Sequence, residues 1–119
     1  MGQTVRFQEI LRKLAILDER AAEENAGLRL DLPGAHLLDT RTTELVRVAA
    51  VAAIGAPEVC LEWSASRALA AGATEDEITG VLLAIAPVAG LGRVIAAVPG
   101  LAIGLGYDVE TALMETDDP

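Results

Sequence analysis

The stretch RALAAGATEDEI, Arg67 to Ile78, reads as the end of one helix and the start of the next. Gly72 suits the left-handed backbone conformation that closes many helices, because it has no Cβ to clash there. Just beyond it, Thr74 and Glu77 stand at the spacing of a capping box. In that motif the threonine hydroxyl accepts from an amide of the first turn and the glutamate reaches back to the threonine amide. A stop and a restart this close leave no room for a strand between them, so the chain around this point packs helix against helix.

Working backward, the helix that closes at Gly72 begins near Pro57, a residue tolerated in a first turn. The helix before it is capped by Asp39, lines one face with Leu45, Val48, Ala49 and Ala52, and ends at Gly55. A first helix is expected from about Thr4 to Glu24, where Phe7, Ile10, Leu11, Leu14 and Leu17 form one apolar stripe. Gly27, Pro33 and Gly34 then make a connecting loop. Working forward, the capping box opens a helix whose apolar members are Ile78, Val81, Leu82 and Ile85. Gly90 and Gly92 separate it from another, Arg93 to about Leu105, which Pro99 is expected to kink or interrupt. A short helix after Asp108 and an acidic tail, residues 114–119, complete the reading, the tail being expected to be disordered. The expectation is therefore an all-α protein of about six helices in a single domain spanning residues 1–119, with 1–36 forming an N-terminal helix and loop.

Composition agrees with helices in close contact. The apolar fraction is 52%, yet aromatics supply only 3%, so Ala, Val, Leu and Ile must fill the core. The formal charge of −9 repels polyphosphate and anionic lipid, so neither nucleic acid nor a membrane surface is an expected partner. The segment GVLLAIAPVAGLGRVIAAVPGLAIGLG, Gly80 to Gly106, carries Arg93 as its single charge. Its prolines and glycines divide it into pieces shorter than the ~20 residues of a membrane span, which predicts a buried pair of helices. The first residues lack the pattern of a secretory signal. A single cysteine excludes an intramolecular disulfide, which makes a reducing cytoplasm the expected location.

Cys60, near a helix N-terminus, would gain nucleophilicity from the positive end of the dipole, and Ser64 lies one turn beyond it. The competing reading is an inert, small apolar side chain in a helix whose face also carries Val59, Trp63, Arg67, Ala68 and Ala71. His36, the only histidine, falls in a predicted loop with nothing to tie it to Cys60 or Ser64. No metal-ligand spacing and no phosphate-binding loop is present, so no metal and no cofactor is expected. Glu44 sits in an otherwise apolar helix with Arg41 and Arg47 three residues to either side. It reads either as a surface or interface ion pair or, if buried, as a general acid or base.

The run LLDTRTTELVRVAAVAAIGAPEVCLEWSASRALAAGATEDEITGVLLAIAPVAGLGRVIAAV, Leu37 to Val98, resembles the carboxymuconolactone decarboxylase family, which includes alkylhydroperoxidase D. The likeness extends roughly to Tyr107, leaves residues 1–36 outside it, and rests on TELVRVAA, on RALAAGATEDEI and on the glycine-containing turn PVAGLGR. It implies the alkylhydroperoxidase D-like helical fold and a homotrimer or homohexamer. In the peroxidase branch it implies a Cys-x-x-Cys pair, a histidine four residues after the second cysteine, and a glutamate on the preceding helix. By position Cys60 takes the second cysteine, Pro57 the first, Ser64 the histidine, and Glu44 the glutamate if the turn at Gly55 holds one extra residue. The first thiol and the imidazole of a peroxidase (peroxiredoxin-type) cycle are thus missing, and the decarboxylase branch, which the resemblance implies also places a histidine at the Ser64 position, lacks that imidazole too. Glu44, Cys60 and Ser64 are the candidate catalytic positions, with Arg47 and Arg93 as candidate ligand-binding residues. The open readings are a family member of unknown substrate, an enzyme on a small carboxylate or lactone using Glu44, a monothiol redox protein using Cys60, and a non-catalytic oligomeric interaction module.

Overall fold

The computed structural model describes residues 2–16 and 37–108, together with Thr111 and Met114. The chain divides into two compact units, Met1–Asp39 and Thr40–Pro119. The first contains α1 (Gly2–Ala15), whose turn-to-turn pairing of Glu9 with Lys13 at 3.5 Å follows the favourable order of acid before base. The expected continuation of this helix to Glu24, the Gly27–Gly34 loop and His36 lie outside the described residues.

The second unit holds α2 (Thr40–Ala53), α3 (Glu58–Ala70), α4 (Glu75–Ala89) and α5 (Leu91–Leu105). Among the described residues the secondary structure is entirely helical. Thr74 and Glu77 form the expected capping box: the Glu77 amide donates to Thr74 Oγ1 at 3.0 Å and the Thr74 amide to Glu77 Oε1 at 2.9 Å. Upstream, the amides of Gly72 and Ala73 donate back to the carbonyls of Leu69 and Ala68, with Gly72 at φ +98°. That pair of bonds is the Schellman closure, and it satisfies carbonyls that the end of α3 would otherwise orphan. Asp108 Oδ1 accepts from the Thr111 amide at 3.1 Å, a capping geometry, and Thr111 and Met114 are helical; the rest of the short helix expected there falls outside the described residues.

The core is built from Val48 and Ala52 of α2, Leu61, Ala65 and Ala68 of α3, Ile78 and Leu82 of α4, and Val94, Ala97 and Leu101 of α5. α5 packs most extensively on α3, while α2 touches both α3 and α4. The α3–α5 contact is close because α5 presents Gly100 and Gly104. A Cβ on Gly100 would lie 2.5 Å from the Glu58 carbonyl oxygen and 2.9 Å from Leu61 Cβ. One on Gly104 would lie 2.5 Å from the Glu62 carbonyl oxygen and 2.7 Å from Ala65 Cβ. These glycines thus serve a close approach of two helices within the chain.

Two local expectations are narrowed by the structure, the first being that Pro99 interrupts its helix, which it does not. α5 begins at Leu91 and runs without a break through Pro99, just as α4 runs through Pro87. A proline removes the amide that would bond the carbonyl four residues earlier. Those residues, Leu83 and Ile95, are exposed, on the solvent side of their helices, where a carbonyl that loses its helical donor costs least. Likewise, α3 turns inward through Leu61, Ser64, Ala65 and Ala68, which leaves Trp63 63% exposed and Val59 exposed. Among the described residues no helix is long and apolar enough to cross a membrane.

Candidate active site

Glu44 is the first residue of a stripe, Glu44, Val48 and Ala52, that repeats every fourth position and points into the core. Its residue is 5% exposed, against 0% for Val48 and 1% for Ala52. Burying an ionised carboxylate is costly unless charged donors meet it. Arg47, one turn along the same helix, donates from Nη1 to Glu44 Oε1 at 2.9 Å. Arg67 of α3 brings Nη2 to within 3.4 Å of the same oxygen. The other oxygen, Oε2, has less than 1 Å² of accessible surface and no hydrogen-bond partner among the described residues.

The structure therefore merges two readings that the sequence held apart: Glu44 is ion-paired, and it is buried. Arg41, expected beside it, instead pairs with Glu77 at the start of α4. That guanidinium reinforces the hydrogen bond from the Thr74 amide, which is the main reason the Glu77 carboxyl is held below its ordinary value. Arg67 as a partner for Glu44 is the residue the sequence reading missed. A signal was available: in a helical hairpin turning at Gly55–Ala56, residues 44 and 67 lie equally far from the turn along the chain.

The remaining candidates divide. Ser64 is buried one turn from Arg67 on α3. Cys60 is partly buried, and its amide donates to the Pro57 carbonyl at 2.9 Å in the opening turn of α3. It sits about 10 Å along the axis from Arg67, at ~1.5 Å per residue, and the Arg67 guanidinium reaches Glu44. Arg93 reaches from α5 to the far end of α2, where Nη1 donates to the Ile54 carbonyl at 3.2 Å. There it supplies positive charge to a helix C-terminus, and a side chain on Gly55 would collide with it. Ile54 lies ten residues from Glu44, about 15 Å at ~1.5 Å per residue. Among the described residues no three His, Cys, Asp or Glu side chains gather to hold a metal ion. A groove of about 390 Å³ between α4 and α5 is lined mainly by apolar residues, with Glu75 and Tyr107 at its wall, and contains none of the Glu44 cluster.

A buried glutamate is thus held by arginines from its own and the next helix, beside the α3 closure and the α4 capping box. The sequence model of the carboxymuconolactone decarboxylase family matches residues 20–102. The chain belongs to the carboxymuconolactone decarboxylase family. The match starts before Leu37, where the resemblance was first legible, and stops before Tyr107. It takes in Glu44, Arg47, Cys60, Ser64, Arg67 and Arg93. No curated protein and no solved structure matched the chain.

Proposed function

We propose that this family member is an enzyme acting on a small carboxylate or lactone, with Glu44 as its general base and acid. The observation that carries this reading is the Glu44 carboxylate itself: Oε1 is engaged by Arg47 and Arg67, and Oε2 is buried without a partner. An unsatisfied buried acceptor costs about 1–3 kcal/mol, more when charged. Such groups are rare in folded proteins outside sites that use them. In the proposed step Oε2 takes a proton from the substrate, the bonding electron pair stays on the substrate, and Oε2 later returns the proton. Ser64 occupies the position where the family pattern has an imidazole, and a serine hydroxyl does not carry protons at neutral pH. Turnover of carboxymuconolactone itself is accordingly expected to be absent or very weak.

Turnover of γ-butyrolactone, a butenolide and acetoacetate should be compared in the wild type, Glu44→Gln and Glu44→Asp. General acid–base catalysis is worth about 10²–10⁴-fold, so both variants should lose at least ~100-fold on any probe the wild type converts. The aspartate keeps the charge for the arginines but withdraws the oxygens, which separates a loss of chemistry from a loss of fold. Undiminished turnover in both variants would refute the role of Glu44.

We also infer self-association through the outer face of α4 and α5, as a trimer or hexamer. Leu83 and Val88 on α4 and Leu91 and Ile95 on α5 are all more than half exposed. Between Thr79 and Ile103, Arg93 is the only charged exposed residue. A stable interface buries about 800 Å² per partner, and a second copy brings an equally uncharged surface to this face.

A further inference from the structure

The geometry points to Arg67 as a positioning residue that determines which oxygen of Glu44 is offered for proton transfer, an inference that rests on the reading of Glu44 given above. The two guanidiniums do not bracket the carboxylate, one on each oxygen; both address Oε1, at 2.9 Å from Arg47 and 3.4 Å from Arg67. Their roles differ because their origins differ. Arg47 rises from the same helix one turn away, so it follows Glu44 through any shift of α2 and cannot orient the carboxylate relative to the rest of the unit. Arg67 belongs to α3, and its contact spans the interface between the two helices. It is the contact that ties the rotation of the carboxylate plane to α3, the helix that also carries the buried Ser64.

Exposure sharpens the distinction. The side chain of Glu44 is 7% exposed, that of Arg47 25% and that of Arg67 40%. An ion pair with one partner this wet is screened and adds little to stability. Its value lies in direction: with Oε1 held from α3, Oε2 is left as the oxygen without a hydrogen-bond partner. Without Arg67 the carboxylate retains Arg47 but is free to turn, so either oxygen can take the arginine and neither is kept available. A misplacement of this kind lowers the rate of the chemical step while leaving the binding of the substrate largely intact.

The test reads the carboxylate directly. Protein labelled with ¹³C at the glutamate carboxyl is compared by infrared difference spectroscopy, each protein against its own Glu44→Gln counterpart, for the wild type, Arg67→Met and Arg67→Lys. The Arg67→Met change should move the Glu44 carboxylate band, since the splitting of its stretches reports how unequally the two oxygens are bonded, and Arg67→Lys should restore it in part. Melting temperature should change little in either. On whichever of the three probes the wild type converts, kcat should fall about 10- to 100-fold in Arg67→Met with KM nearly constant, and recover partly in Arg67→Lys. A Glu44 band unchanged by Arg67→Met overturns the inference, as does a kcat loss that Arg67→Lys fails to relieve. If Glu44→Gln is fully active while the band still moves, the role of Glu44 in catalysis fails and the orientation of its carboxylate by Arg67 stands, so the two failures are distinguishable.

Discussion

Arg67 Nη2 lies 3.4 Å from Glu44 Oε1, so the second and third helices are joined at their buried face by a charge contact as well as by apolar packing. Side chains that share a contact do not respond independently to mutation. Glu44→Gln and Arg67→Gln should therefore be non-additive in stability, with a coupling of about 0.5–1 kcal/mol, the low end of the range because Arg67 is partly in water. Urea denaturation of the two single variants and the double variant measures it. Additivity within ~0.3 kcal/mol would show that the contact has no energetic content.

The glycines of α5 and α4 predict opposite signs for the same substitution. Gly104→Ala forces a methyl against the Glu62 carbonyl and Ala65, and should destabilise by about 1–3 kcal/mol as the α3–α5 contact opens. Gly80, inside α4, has open space where its Cβ would be, and Gly80→Ala should stabilise by up to ~1 kcal/mol through helix propensity alone. Thermal melts of the two variants decide this; a neutral Gly104→Ala would mean that the two helices separate at no cost.

The turn between α3 and α4 was fully legible in the sequence, because caps are local: Gly72, Thr74 and Glu77 each act within a few residues. The apolar faces of α2 and α4 were legible too, through spacing. What spacing could not tell is which of two arginines on α2 would meet Glu44, since Arg41 and Arg47 are equivalent along the chain and differ only in what lies across from them. Arg41 faces the start of α4 and takes Glu77. Helical spacing places Arg67 on the same face of α3 as Cys60 but does not show that the hairpin sets it level with Glu44. Whether Pro99 interrupts its helix was not legible for a related reason: it depends on which side of the helix the orphaned carbonyl faces, and Ile95 is on the exposed side.

Glu77 gives a pH dependence with a definite sign. Its carboxyl is held below the ordinary value, first by the Thr74 amide and then by Arg41. The unfolded chain therefore takes up this proton more readily than the folded one, and the stabilisation is complete above the ordinary carboxylate range and lost as pH falls through the lowered folded value. Glu77→Gln keeps a capping oxygen but no charge, so its melting temperature should lie below that of the wild type at neutral pH and converge on it in acid. A gap that widens as the pH is lowered would contradict the assignment.

Self-association should be visible by light scattering at micromolar concentration as a multiple of the 12.4 kDa chain mass. Ile95→Glu, which puts a charge in the middle of the exposed face of α5, should lower that mass while leaving helicity intact. A wild-type protein of single-chain mass, or an Ile95→Glu variant of unchanged mass, would exclude this face as the contact.

The central claim is that Glu44 moves a proton, and hydrogen exchange reports that act without requiring the natural substrate to be turned over. In D₂O, NMR can follow deuterium incorporation at the carbon next to the carbonyl of γ-butyrolactone, a butenolide and acetoacetate. Wild-type protein should catalyse exchange on at least one of them, and Glu44→Gln and Glu44→Asp should fall at least ~100-fold below it while retaining the wild-type helical spectrum. Exchange at the uncatalysed rate with wild-type protein on all three, or equal exchange in the wild type and both variants, would contradict it.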